Sequence, residues 1–185
     1  MPDMDITLKQ FPLNQDKLSI MINEICTRKT DDIKFDFLGL DKTRPADDYL
    51  GYRVHMIATY GKIRTPLKID VTTGDVITPS EINYKYKLFF RDETIELLSY
   101  NVETILAEKL ETILRRMDLN TRIRDFYDVY ILTKTKDFSN ELFSQALNNT
   151  VKHRKTEHIL VDTYKRFVLL KKNEELQKRW TQYTN

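Results

Sequence analysis

The stretch Asn101-Val102-Glu103-Thr104-Ile105-Leu106-Ala107-Glu108-Lys109-Leu110-Glu111-Thr112-Ile113-Leu114-Arg115-Arg116 decides how this chain is built. Val102, Ile105, Leu106, Leu110, Ile113 and Leu114 recur at spacings of three and four, which puts them on one helical face. Asn101 is a good N-cap, and Glu103 suits the positive end of the helix. Lys109 stands in the middle of the apolar stripe. A lysine there either carries its ammonium to water along the aliphatic stem or meets a buried negative partner. If that partner is a phosphate, the lysine marks an active site.

The pattern differs on the two sides of this helix. Upstream, Asp3–Phe11, Asp32–Leu40, Tyr49–Tyr60, Leu67–Thr72, Tyr84–Phe90 and Thr94–Leu98 read as strands. Asn14–Arg28 reads as a helix with Leu18, Met21, Ile22 and Ile25 on one face and Asn14 or Asp16 as cap. Tyr60-Gly61-Lys62 and Thr73-Gly74-Asp75 read as turns. Downstream, a second helix begins near Thr121 with Ile123, Phe126, Tyr127, Tyr130 and Ile131 inward. A third covers Ser139–Asn149, and a fourth lies within Glu157–Trp180. The expectation is an α+β protein: a mixed-sheet domain over residues 1–100 and a helical bundle over 101–185.

The chain has 185 residues, 41% of them hydrophobic and 31% charged, the composition of a globular protein rather than a disordered or membrane-spanning one. Its opening residues are acidic and lack the pattern of a signal peptide. Cys26 is the only cysteine, so no intrachain disulfide forms, and among Ile22 and Ile25 it reads as a small core residue. A cytoplasmic setting with no membrane partner is expected. His55, His153 and His158 have no zinc-ligand spacing with Cys26. Net charge is +2, but Val151–Asn185 carries nine Lys or Arg against four Asp or Glu. A basic tail suits a nucleic-acid partner, although on charge alone a solvated helix face explains it more simply.

Two acidic groups point to chemistry. Asp3 and Asp5 are two apart on a strand, so their carboxylates share a face; Asp70 alternates with Leu67, Ile69 and Val71 on another strand. If the strands are neighbours, three carboxylates converge, the oxygen-rich setting that Mg²⁺ prefers. Singly, each of these aspartates is equally at home on a solvated strand face. On the second helix, Asp125 and Asp128 can pair with Arg122 and Arg124 as surface salt bridges. Alternatively one of them faces Lys109 and either orients it or acts as a base on an attacking hydroxyl.

In order along the chain, Asp3-Met4-Asp5-Ile6-Thr7, Ile69-Asp70-Val71-Thr72-Thr73-Gly74-Asp75, Glu108-Lys109-Leu110 and Arg124-Asp125-Phe126-Tyr127-Asp128 resemble the motifs of the AbiEii/AbiGii toxin family, which looks like a branch of the DNA polymerase β-type nucleotidyltransferases. The resemblance covers about residues 1–135. It implies a nucleotidyltransferase-type sheet followed by helices, and a toxin of a toxin–antitoxin or phage-defence system that moves a nucleotide from an NTP to RNA, tRNA acceptor ends included. Carried over, Asp3, Asp5 and Asp70 match the metal-binding carboxylates for Mg²⁺. Lys109 matches the lysine on the nucleotide phosphates, and Asp125 or Asp128 the late acidic motif. Gly74 and Asp75 match a motif whose role the sequence leaves open.

The chain departs from that pattern at its start. Family members carry a Gly-Gly-Ser/Thr-type loop ahead of the Asp-x-Asp strand, which holds triphosphate through backbone N–H groups. This chain begins at the second motif, with Met1 where a Ser or Thr usually stands. Two expectations follow. One is an RNA-modifying toxin with NTP as substrate and a cognate antitoxin. The other is a catalytically incompetent remnant that binds RNA or the antitoxin. Loss of the family's first strand would also expose a sheet edge, inviting self-pairing or a partner. A DNA-binding regulator has little support, since no recognition helix with a short Gly turn is evident.

Overall fold

The computed structural model describes residues 3–9, 14–28, 32–43, 51–89, 91–117 and 122–185, and for Asp3 the backbone alone. The chain forms two compact units, Met1–Asp75 and Val76–Asn185. Together they make the expected α+β protein, a mixed sheet followed by helices.

The first unit runs β1 (Asp3–Leu8), α1 (Gln15–Thr27), β2 (Ile33–Thr43), β3 (Gly51–Tyr60) and β4 (Ile63–Thr73). Asn14 is the cap of α1, its side chain accepting from the Lys17 amide at 2.8 Å, while Asp16 lies in the first turn. Strands β3 and β4 form a hairpin in which Tyr60 pairs with Ile63, so the loop is Gly61-Lys62. Gly61 has φ +55°, the left-handed conformation such a tight turn needs. The sheet order is β1-β4-β3-β2, with β1 parallel to β4 and the other pairs antiparallel.

Alternation gives this sheet an apolar face and a polar one. Leu18 and Ile22 of α1 pack on Tyr52, Val54, Met56 and Val71, with Phe35, Phe37, Leu40 and Ile69 around them. The opposite face carries Asp5, Thr7, Arg53, His55, Lys68, Asp70 and Thr72. A bulge in β2 between Phe37 and Gly39 shifts the register by one residue. Phe35 and Phe37 face the core before the bulge and Leu40 after it, so Asp41 emerges on the polar face and reaches His55 at 2.8 Å.

The described residues of the second unit form a hairpin, β5 (Ile82–Lys87) and β6 (Thr94–Ser99), and the α-helices α2 (Val102–Arg116), α3 (Ile123–Thr135), α4 (Asn140–His153), α5 (Thr163–Lys172) and α6 (Glu174–Thr184). The sequence puts a boundary at residue 100, whereas the units divide after Asp75. The hairpin forms a sheet of its own rather than extending β1–β4. The segment before it is tied to α2: Asn101 Nδ2 donates to the carbonyls of Thr78 and Ser80, and the Thr104 hydroxyl accepts from the Thr78 amide. The helix expected within Glu157–Trp180 is three elements, a 3-10 turn at Glu157–Leu160 followed by α5 and α6. Asp162 in the left-handed region separates the turn from α5, and Asn173 ends α5 while capping α6. Tyr130, expected inward, is exposed. The ends of strands and helices expected at Phe11, Tyr49, Phe90 and Thr121 lie outside the described residues.

Helix α2 is the centre of the second unit. Ile113 packs with Leu170 and Leu176, and Leu114 with Val151 and Ile159. Between these contacts lies Glu111, whose side chain is 0% exposed. It accepts from Arg115 Nε at 2.9 Å, Arg154 Nη1 at 2.6 Å and the Thr156 hydroxyl at 3.1 Å. A buried carboxylate holds its charge only with such partners.

Two substitutions test this packing. Leu18→Ala removes a fully buried side chain from the first unit and is expected to lower its stability by about 2–5 kcal/mol in urea unfolding. Arg154→Ala leaves Glu111 with Arg115 and Thr156 alone and is expected to cost the second unit about 2 kcal/mol, whereas the Arg154→Lys variant recovers part of that loss.

Candidate functional site

The first candidate cluster lies on the polar face of the four-stranded sheet. β1 and β4 are neighbours, as convergence of the aspartates requires, and Asp5 is the Cα partner of Asp70. Partners on parallel strands lie roughly 5 Å apart and face the same side, so the two carboxylates stand abreast. Asp3 is the Cα partner of Lys68, two residues back along the same ladder.

Asp70 already has a cation. Arg53 Nε donates to its Oδ1 at 2.7 Å and Nη2 to its Oδ2 at 2.7 Å, a bidentate fork from the adjacent strand β3. Sequence reasoning missed Arg53. The signal was present in the alternation Tyr52, Arg53, Val54, His55, Met56, but the strand pairing that brings Arg53 beside Asp70 was not. Among the described residues no group of three or more His, Cys, Asp or Glu has metal-ligand geometry. Asp5 and Asp70 nevertheless supply hard oxygen donors side by side, and Mg²⁺ is commonly held by one or two carboxylates together with phosphate and water.

The second cluster lies in the helical unit. Lys109 Nζ is 2.6 Å from Asp128 Oδ2 and 3.6 Å from Asp125 Oδ1, with 25% of the lysine side chain exposed. Asp125 and Asp128 are three apart on α3 and therefore share the face turned toward α2. Of the two outcomes the sequence leaves open for Lys109, the structure shows a negative partner, and that partner is a carboxylate pair. The cluster sums to one negative charge. Asp125 is the buried residue of α3. Its Oδ2 is the one buried side-chain polar atom without a hydrogen-bond partner among the described residues. A buried polar oxygen left without a hydrogen-bond partner is costly.

The remaining candidates fall outside both clusters. Asp75 sits at the end of β4, hydrogen-bonded to Thr7 and Thr72. Cys26 packs against the core of the first unit, where burial first and the Asp36 carboxylate second push its thiol above the usual range, so it stays protonated. Among the described residues no helix is long and apolar enough to cross a membrane.

A family model described as nucleotidyl transferase AbiEii toxin, type IV toxin–antitoxin system, matches residues 2–185. The chain therefore belongs to the AbiEii nucleotidyltransferase toxin family. No curated protein and no solved structure matches it.

Removing the lysine should expose the cluster's imbalance. Lys109→Met leaves Asp125 and Asp128 facing each other and is expected to destabilise the helical unit by about 2 kcal/mol, less than for a fully buried pair because the lysine is partly solvated. Asp125→Asn removes the anionic oxygen that lacks a partner and should cost under about 1 kcal/mol. Equal costs in thermal unfolding would contradict the asymmetry drawn from the Asp125 Oδ2 position.

Proposed function

We propose that this toxin transfers a nucleotide from an NTP to RNA, with tRNA acceptor ends as the first candidate, in a Mg²⁺-dependent reaction. The observation that carries the reading is the buried, unpartnered Asp125 Oδ2 beside Lys109 and Asp128. A lysine set between two carboxylates on a neighbouring helix is an arrangement that can orient groups for phosphate chemistry.

Asp3, Asp5 and Asp70 would hold Mg²⁺, which when bound would neutralise charge on the triphosphate. Arg53, forked onto Asp70, adds a cation to the same sheet face. In the helical unit Lys109, held by Asp128 at 2.6 Å, is the candidate for the nucleotide phosphates. Asp125 or Asp128 would position the acceptor hydroxyl or take its proton. The hydroxyl oxygen attacks the α-phosphorus, the bond from that phosphorus to the bridging oxygen breaks, and pyrophosphate leaves. The excess of basic residues in Val151–Asn185 supports RNA as the acceptor, because phosphate contacts supply most of the affinity for nucleic acid. The family also supplies a cognate antitoxin as partner.

A second reading is a non-catalytic module that binds RNA or the antitoxin. The bidentate Arg53–Asp70 pair favours it, because both Asp70 oxygens accept from Arg53. One experiment separates the two: transfer of label from radiolabelled NTPs to total RNA in the presence of Mg²⁺. The transferase reading expects incorporation that falls about 100-fold or more in Asp70→Ala, Lys109→Ala and Asp125→Ala. Equal labelling by wild type and all three variants overturns that assignment. RNA binding without any incorporation supports the second reading.

A further inference from the structure

Asp75 closes the motif Ile69-Asp70-Val71-Thr72-Thr73-Gly74-Asp75, yet neither cluster uses it. After β4 the chain turns at Gly74, whose φ of +83° is a left-handed conformation that side chains rarely adopt. The turn brings Asp75 back onto the strand ends. Asp75 Oδ2 accepts from the Thr72 hydroxyl at 2.8 Å and from the Thr7 hydroxyl as well. The two hydroxyls lie 3.1 Å apart. Thr7 and Thr72 are Cα partners of the β1–β4 ladder, two residues beyond the Asp5–Asp70 pair and on the same face. One carboxylate oxygen thus holds a hydroxyl from each of two neighbouring strands.

β1 needs such a hold. Among the described residues it pairs with β4 alone, and its residues Met4 and Ile6 are exposed on the apolar face. Backbone hydrogen bonds fix pairing but resist register shift poorly, because they re-form after a slip. A slip of one residue would turn Asp5 to the opposite face. It would also turn Thr7 away from Asp75, whose bonds to side-chain hydroxyls are specific to one register and strengthened by charge.

We infer that Asp75 is a positioning residue that clasps β1 to β4 through Thr7 and Thr72 and so keeps Asp5 abreast of Asp70. The importance of that alignment for nucleotide transfer rests on the function proposed above; the clasp itself does not.

Amide hydrogen exchange on the full chain, with a Mn²⁺ titration beside it, tests the assignment. Asp75→Ala is expected to speed exchange across Met4–Leu8 about tenfold while leaving the β2–β3 pair unchanged, and to weaken Mn²⁺ binding several-fold. Asp75→Asn, whose amide oxygen still accepts both hydroxyls, retains most of the β1 protection and the Mn²⁺ affinity. Thr7→Val, a milder change, is expected to reproduce part of the Asp75→Ala effect and to add nothing when combined with it. Unchanged β1 exchange in Asp75→Ala overturns the proposal. So does an Asp75→Asn variant that loses Mn²⁺ with β1 fully protected, since Asp75 would then be a ligand. If Asp5→Asn and Asp70→Asn bind Mn²⁺ like the wild type, the metal assignment fails, and the exchange rates still decide the clasp.

Discussion

The parallel pairing of β1 with β4 is the constraint on which the first unit depends. Two parallel strands cannot be joined by a tight turn, so the chain must leave β1, cross the sheet and come back. It does so through α1, β2 and β3, and the crossover helix then covers the apolar face that the strands present. The same pairing sets Asp5 against Asp70 and Thr7 against Thr72. The core and the acidic face are two sides of one ladder, and neither can be shifted without the other.

The helical unit meets a different requirement, that of a charged helix packed on several sides. α2 carries Glu111 toward Arg154 and Thr156, and Lys109 toward Asp125 and Asp128. Opposite charges two residues apart on one helix thus point to different neighbours. Because each is paired where it lands, α2 is fixed both in rotation and along its axis in a way that apolar contacts alone seldom achieve. A buried ion pair of this kind says more about specificity than about net stability.

Much of the architecture was legible because it follows period. Strand alternation and the helical stripe at Val102–Leu114 placed the elements, and Asn14, Asn101 and Ser139 begin helices as their side chains suggest. The final helices were less legible: their interruptions depend on a left-handed Asp162 and on Asn173 acting at once as stop and cap, which no apolar period announces. In the candidate site, the shared facing of Asp5 and Asp70 was readable only conditionally, since facing is a local property and adjacency is not. Arg53 and Glu111 were missed for the same reason. Arg53 belongs with Asp70, and Glu111 with Arg154, through tertiary pairing alone. The bulge at Leu38 shows the limit from the other side: one extra residue reverses the facing of everything after it in β2.

The aromatic contacts of α3 have a practical consequence. Trp180, the chain's single tryptophan, lies on α6 with its ring 6.3 Å from Tyr127 and 5.7 Å from Tyr130, centroid to centroid. Tyr127 also meets Tyr183 edge-on at 5.3 Å. Tyr127 stands between Asp125 and Asp128 in the sequence of α3, so the helix that carries both carboxylates is backed by the only indole in the molecule. The protein therefore contains its own optical gauge. Detachment of α6 moves the indole away from both tyrosine rings and changes its emission, with no label added, while the sheet unit remains silent at the same wavelength.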